Sequence, residues 1–144
     1  MVIEQAKWED FEQIWALQTS IAPVGRTKEE AKAALQTMID SEDCFLAVAR
    51  EGDTILGTVT GVCCPIMLGS FLVMEDMVVR EDCRGTGIGK QLMAAMDAFA
   101  AGRGCLYGIL VSSGFRKDAH RFYEKQGFEE DVRGFRKGYG ELEE

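Results

Sequence analysis

The sequence predicts an α/β chain in which strands and helices share one core, and three observations carry that expectation. Residues Phe71–Gly102 read as a strand, a glycine-rich turn and a helix in direct succession. Strand-like runs and segments of helical spacing account for nearly all of the remaining chain. The 144 residues are 47% hydrophobic, enough for one sizeable core and too few for a second domain, so residues 1–144 are expected to form a single one.

In chain order, Val2–Ala6 reads as a short strand, and Trp8, Phe11, Ile14, Trp15 and Leu17 carry helical spacing to about Ser20. Pro23 and Gly25 break the chain into a loop. Thr27 followed by Glu30 is a capping-box pattern, and Ala31, Ala34, Leu35, Met38 and Ile39 give the next helix its apolar stripe. Cys44–Arg50 and Thr54–Val62 read as a hairpin around Glu51-Gly52-Asp53. After the connection 64–70, Phe71, Leu72, Val73 and Met77-Val78-Val79 suit a strand buried on both faces. A helix from Ile88 presents Ile88, Leu92, Ala95, Met96 and Phe99 on one face and is expected to stop at Gly102. Cys105–Val111 reads as a strand and 112–114 as a loop. Ala119, Phe122 and Tyr123 share a helix face ended by Gly127. Val132–Tyr139 is expected to close the sheet as a last strand before an acidic end at 141–144.

Composition narrows the function. A net charge of −8 argues against a nucleic-acid binder and agrees with a cationic substrate such as an amine. No apolar run approaches the ~20 residues of a membrane span, and the N-terminus lacks a signal-peptide pattern, so a cytoplasmic protein away from membranes is expected. The five cysteines show no C-x-x-C spacing, and His120 is the only histidine, so neither a zinc site nor a disulfide framework is suggested. A nucleophilic triad would have to use His120, and no Gly-x-Ser-x-Gly elbow supports one.

The chemistry-bearing stretch is Arg84-Gly85-Thr86-Gly87-Ile88-Gly89-Lys90. A helix start leaves N–H groups without internal partners and carries a partial positive charge, and glycines let backbone close around an anion. Arg84 and Lys90 add charge at that spot, which favours a phosphate cradle over a turn that merely needs glycine. A Walker loop needs Ser or Thr after Gly-Lys, and Gln91 stands there. The dinucleotide fingerprint needs a glycine where this chain has Lys90 or Leu92.

What remains, Arg84-x-x-Gly87-x-Gly89 after a strand ending in Met77-Val78-Val79, resembles the acetyl-CoA loop of the GNAT acyltransferase superfamily. The later Ala119-x-x-Phe122-Tyr123-x-x-x-Gly127-Phe128 resembles the last helix of GNAT domains. The order of strands and helices extends the resemblance over essentially the whole chain. It implies a mixed, mostly antiparallel sheet of six or seven strands with four helices, and acetyl-CoA held between splayed strands ending at Val79 and Val111. It also implies an N-acetyltransferase acting on a primary amine of a small molecule, with no metal.

By the same resemblance, Arg84, Gly85, Thr86, Gly87, Ile88, Gly89 and Lys90 hold the coenzyme's diphosphate. Met77, Val78 and Val79 offer peptide groups to its pantetheine arm and an N–H near Val79 to the oxyanion. Arg116 stands where many members have an asparagine touching CoA, and Glu81 where proline is common. Tyr123 matches the tyrosine such enzymes often place beside the CoA sulfur, and is the candidate general acid; its alternative is a core tyrosine with a surface hydroxyl. Glu75 and Asp76 are adjacent, and strand alternation sends them to opposite faces; Glu75, sharing parity with Met77 and Val79, is the candidate base beside a water-mediated route. His120 reads first as a surface residue of the last helix, second as a proton relay. The acceptor pocket is expected from the 20–30 loop, the 63–70 connection and the C-terminal strands. The resemblance admits a homodimer, with no face for it legible in the sequence. Two readings of other classes stand beside the enzyme: a non-catalytic acetyl-CoA-binding regulatory module, and an unrelated nucleotide-binding domain. A protein or peptide acceptor is the alternative within the enzyme class.

Overall fold

The computed structural model describes residues 1–111 and 117–140. Its strands are β1 (Val2–Gln5), β2 (Cys44–Glu51), β3 (Thr54–Cys64), β4 (Phe71–Val79) and β5 (Tyr107–Leu110), in a single sheet of that order. The first four are antiparallel neighbours and β5 runs parallel to β4, as a crossover through a helix requires. The helices are α1 (Phe11–Thr19), α2 (Lys28–Asp40), α3 (Ile88–Gly102) and α4 (Lys117–Lys125), with 3₁₀ turns at Trp8–Asp10 and Glu81–Cys83.

Each face of the sheet is covered. Leu46, Val48 and Ile55 meet Phe11, Ile14 and Leu35 of α1 and α2 on one side. On the other, Ala47, Val59, Leu72 and Met74 meet Ile88, Leu92, Met93 and Met96 of α3, all of them buried. Gly57 on β3 lets α3 sit close: a Cβ there would stand 3.3 Å from the side chains of Ile88 and Leu92. An ion-paired corner ties β1 to the first turn, where Arg50 on β2 donates to Asp10 at 2.9 and 2.5 Å and to Glu4 at 2.7 Å. Burial alone would raise the Asp10 carboxyl, but the Arg50 guanidinium and the Lys7 N–H outweigh it and hold it below the usual range. All five cysteines are free; Cys105 directs its thiol at Cys63 with the sulfurs 3.6 Å apart.

Four expectations need correction. The sheet has five strands among the described residues, not six or seven, and Val132–Tyr139 is not a strand. Gly134, Gly138 and Gly140 interrupt that segment, and Val132, Phe135 and Tyr139 share no two-residue period that would define a buried face; Phe135 and Tyr139 are 90% exposed. The C-terminal glycine of α3 is Gly104 (φ +70), not Gly102, which remains helical; Cys105 N–H bonds the Ala100 carbonyl at 2.9 Å. The buried stripe of α3 uses Met93 where Ala95 was expected. Finally, β4 is not a regular strand, and the site depends on that departure. The 112–114 loop and the acidic 141–144 end lie outside the described residues.

Candidate active site

Opposite β3, Thr58 pairs with Val78 and Thr60 with Glu75, so Asp76 and Met77 together face the single residue Val59. This is a β-bulge, and Asp76 takes φ +54, a left-handed conformation that aspartate tolerates better than most residues. The bulge shifts the alternation of side chains, so Leu72 and Met74 before it and Met77 and Val79 after it all pack toward the α3 cluster.

On the other edge, pairing between β4 and β5 runs from Phe71↔Tyr107 to Met74↔Leu110 and stops there. Past that pair, among the described residues, a gap lies between β4 and the segment Leu110–Val111. A small cavity of about 100 Å³ occupies the gap, lined by Ile21, Met74, Glu75, Asp76, Met77, Leu110, Val111 and Tyr123. Arg80 N–H bonds the Leu56 carbonyl on β3 at 2.8 Å. Successive peptide groups of a strand face opposite edges, so the Val79 N–H points away from β3, toward the edge that β5 pairs with earlier along β4.

The bulge overturns the expectation that Glu75 and Asp76 occupy opposite faces, for both line the gap. Burial pushes both carboxyls above their ordinary values; at Glu75 the neighbouring Asp76 charge adds to this and Arg136 opposes it. Two carboxyls with raised proton affinity beside a phenol give the gap the means to accept and donate protons.

Tyr123 reaches the gap from α4. Phe122 and Phe128 dock that helix on the α3 cluster, and Tyr123 meets both rings edge-on at 5.6 and 6.3 Å. Phe122 also lies over the start of α3, where a Cβ on Gly89 would come within 3.2 Å of its ring. The helix ends through Gly127 (φ +96), with Phe128 N–H bonded to the Tyr123 carbonyl at 3.1 Å. His120 is half-buried on the same helix.

β4 feeds the glycine loop. Gly85 and Gly87 take φ +79 and +88, and a Cβ at either would meet nothing within 4 Å, so the bare backbone faces open space. Gly87 is the N-cap of α3 and no side chain caps the helix, which leaves its first-turn N–H groups for an anion. Arg84 and Lys90 are exposed beside it, and the Thr86 hydroxyl donates to the Cys83 carbonyl at 2.5 Å, holding the turn. Arg84 also borders a cavity of about 810 Å³ that runs over Val78, Val79 and Arg80 to Leu17 and Ile21 on the opposite wall. These features fit a coenzyme diphosphate at the loop and an extended amide-bearing arm along the free edge of β4.

Comparison with known proteins decides the family. Residues 41–130 match the family described as acetyltransferase (GNAT) domain. The chain belongs to the GNAT acetyltransferase family. Over 128 residues it is 30% identical to the uncharacterized N-acetyltransferase YhdJ of Bacillus subtilis, spanning 85% of this chain and 90% of that protein. The chain is thus an acetyl-CoA-dependent acyltransferase.

Among solved structures, a protein from Agrobacterium tumefaciens assigned as an acetyltransferase superposes with a TM-score of 0.87 at 24% identity, over 96% of this chain and all of that one (100%). Glucosamine-6-phosphate N-acetyltransferase from Arabidopsis thaliana gives 0.82 at 23%, covering 96% and 97% of the two chains. An aminoglycoside N-acetyltransferase, AAC(6')-Iy, in complex with CoA gives 0.80 at 20%, covering 94% and 93%. At these identities the likeness is one of fold.

Of the residues singled out in the sequence, Glu75, Met77 and Tyr123 come together at the gap, while Val78, Val79 and Arg84 border the larger cavity beside it. Arg116 lies outside the described residues. Ile21 on the gap falls within the 20–30 loop expected to contribute to the acceptor pocket. The sequence reading set Asp76 aside in favour of Glu75, because Asp76 enters through a bulge that no local pattern announces. Of the expected acceptor wall, residues 22–26 do line a cavity, whereas Met67 in the 63–70 connection is 95% exposed.

Proposed function

We propose that this GNAT acetyltransferase transfers the acetyl group from acetyl-CoA directly to the primary amine of a small molecule, with no covalent enzyme intermediate. The observation that supports it is the convergence of Tyr123, Glu75 and the free edge of β4 at one gap. Residues Arg84 to Lys90 hold the diphosphate through the first-turn amides of α3 and two cations, with Arg116 as a further phosphate contact. Peptide groups of Met77, Val78 and Val79 pair with the pantetheine arm, and the Val79 N–H stabilises the oxyanion.

The amine nitrogen forms its bond to the thioester carbonyl carbon as the carbon–sulfur bond breaks. Tyr123 gives its phenolic proton to the departing thiolate, and Glu75 takes the proton lost by the amine, directly or through one water. The raised proton affinity of Glu75 suits that role. The whole chain works as one domain in the cytoplasm. Among the described residues no helix is long and apolar enough to cross a membrane, and no cluster of three or more His, Cys, Asp or Glu is placed to hold a metal.

Thiol release from acetyl-CoA across a panel of primary amines, with CoA affinity measured by calorimetry, tests the reading. Micromolar CoA binding with amine-dependent thiol release is the expected result. Absence of any affinity for CoA or its acyl derivatives would overturn it.

A further inference from the structure

Asp76 belongs to two cavities at once. It lines the gap that holds Tyr123, and it also lines a second cavity of about 380 Å³ between α1, α2 and the 22–26 loop. That volume falls within the ~300–1,000 Å³ usual for small-ligand sites. Its walls are mainly apolar, with Phe11, Ile14, Trp15, Val24, Leu35 and Met38 among them. The charged groups on the lining are Asp76, which this cavity shares with the gap, and Arg26 in the loop. A site for a polycation needs several carboxylates; this one balances a single carboxylate with a guanidinium, which repels additional positive charge.

The geometry points to an acceptor site for a primary amine carried on an apolar body, an arylalkyl- or alkylamine, with Asp76 receiving the ammonium where the cavity opens into the gap. This rests on the acetyltransferase reading and names the substrate class for it. The apolar body is desolvated against Trp15, Leu35 and Met38, and the amine is held at the mouth facing the thioester position. Proton removal by Glu75 then frees the nitrogen lone pair. Asp76 binds and orients; it is not the residue that takes the proton. Its left-handed backbone is where strain is expected if the side chain must be aimed between two cavities.

The test compares 2-phenylethylamine with an aminoglycoside, a sugar-based polycation, on the full chain. Trp15 lines the cavity and reports occupancy by fluorescence once the exposed Trp8 is replaced in a Trp8→Phe background. Saturable quenching by 2-phenylethylamine is expected, weakened at least tenfold by Asp76→Asn, a change that keeps a residue tolerant of the left-handed backbone. In turnover, Asp76→Asn raises KM for 2-phenylethylamine far more than it lowers kcat, CoA affinity by calorimetry is unchanged, and the arylalkylamine exceeds the aminoglycoside in kcat/KM at least tenfold. Should Asp76→Asn fail to fold, Val24→Phe fills the cavity from its loop without adding a second tryptophan and abolishes the quench with CoA binding retained.

Preference for the aminoglycoside, or an Asp76→Asn variant that binds 2-phenylethylamine as wild type does, overturns the inference. The quench is read with and without CoA. Failure of CoA to bind therefore counts against the acetyltransferase reading, and the cavity's ligand is decided separately.

Discussion

At the scale of single residues, the proposed chemistry rests on Tyr123 and Glu75 lining one gap. Replacing Tyr123 by Phe keeps the edge-on contacts with Phe122 and Phe128 and removes the proton donor. Turnover is expected to fall about 100-fold, the low end of general acid catalysis, with CoA affinity unchanged; thiol-release kinetics beside calorimetry check it. The Arg50–Asp10 pair sits away from the chemistry and bears on stability instead. With side chains only 16% and 7% exposed, loss of Asp10 leaves the Arg50 guanidinium with Glu4 alone, and Asp10→Ala is expected to lose about 2 kcal/mol in chemical denaturation. Tyr123 was legible because its neighbours repeat a motif in linear order. The Arg50–Asp10 pair was not, because it joins positions 40 apart in sequence that only strand pairing brings together.

Elements show the same division between local and distant causes. The capping box at Thr27 is realised as read, with Glu30 N–H bonded to the Thr27 hydroxyl at 3.2 Å and Thr27 N–H to the Glu30 carboxylate at 2.9 Å, because both partners lie within one turn. The glycine loop is local too, and its shape gives a prediction. A Gly87→Ala change meets no steric neighbour but must hold φ +88, costing about 1 kcal/mol. A fall of a few degrees in Tm and an about tenfold weaker affinity for CoA are expected, the second because the methyl group projects into the space proposed for the diphosphate. The helix α3 ends at Gly102 as read, but the left-handed glycine that closes it is Gly104, since both glycines satisfy the sequence signal and only the hydrogen bonds choose between them.

Over the whole molecule, the two sets of shifted carboxyls pull the pH dependence of stability in opposite directions. The depressed Asp10 contributes stability that is present above the ordinary carboxylate range, near ~4, and is lost as pH falls through its folded value. Glu75 and Asp76 are raised, so the folded state favours their protonated forms; their ionisation lowers stability as pH rises through the raised values. Asp76→Asn is therefore expected to raise Tm relative to wild type at pH 8 and to leave it nearly unchanged at pH 3, as thermal melts at the two values would show. A variant gaining stability as it loses acceptor affinity would mark the residue as kept for its ligand. The elements and their buried faces were legible because apolar patterning marks them, whereas the strand directions came from the family resemblance. The strand count was not, because a family resemblance supplied a last strand that the residues around Gly134 and Gly138 do not support.

The extra residue on β4 has a consequence for how this protein tolerates length changes. Deleting Asp76 would restore an uninterrupted ladder from Phe71 to Val79 opposite β3 and relieve the left-handed backbone. It would also rotate Met74 and everything before it, or Met77 and everything after it, through half a turn about the strand, exchanging the inside of the sheet for the outside. The irregularity thus works as a phase marker: it allows two hydrophobic half-strands of opposite parity to share one core, and the slot for chemistry opens where the phase changes.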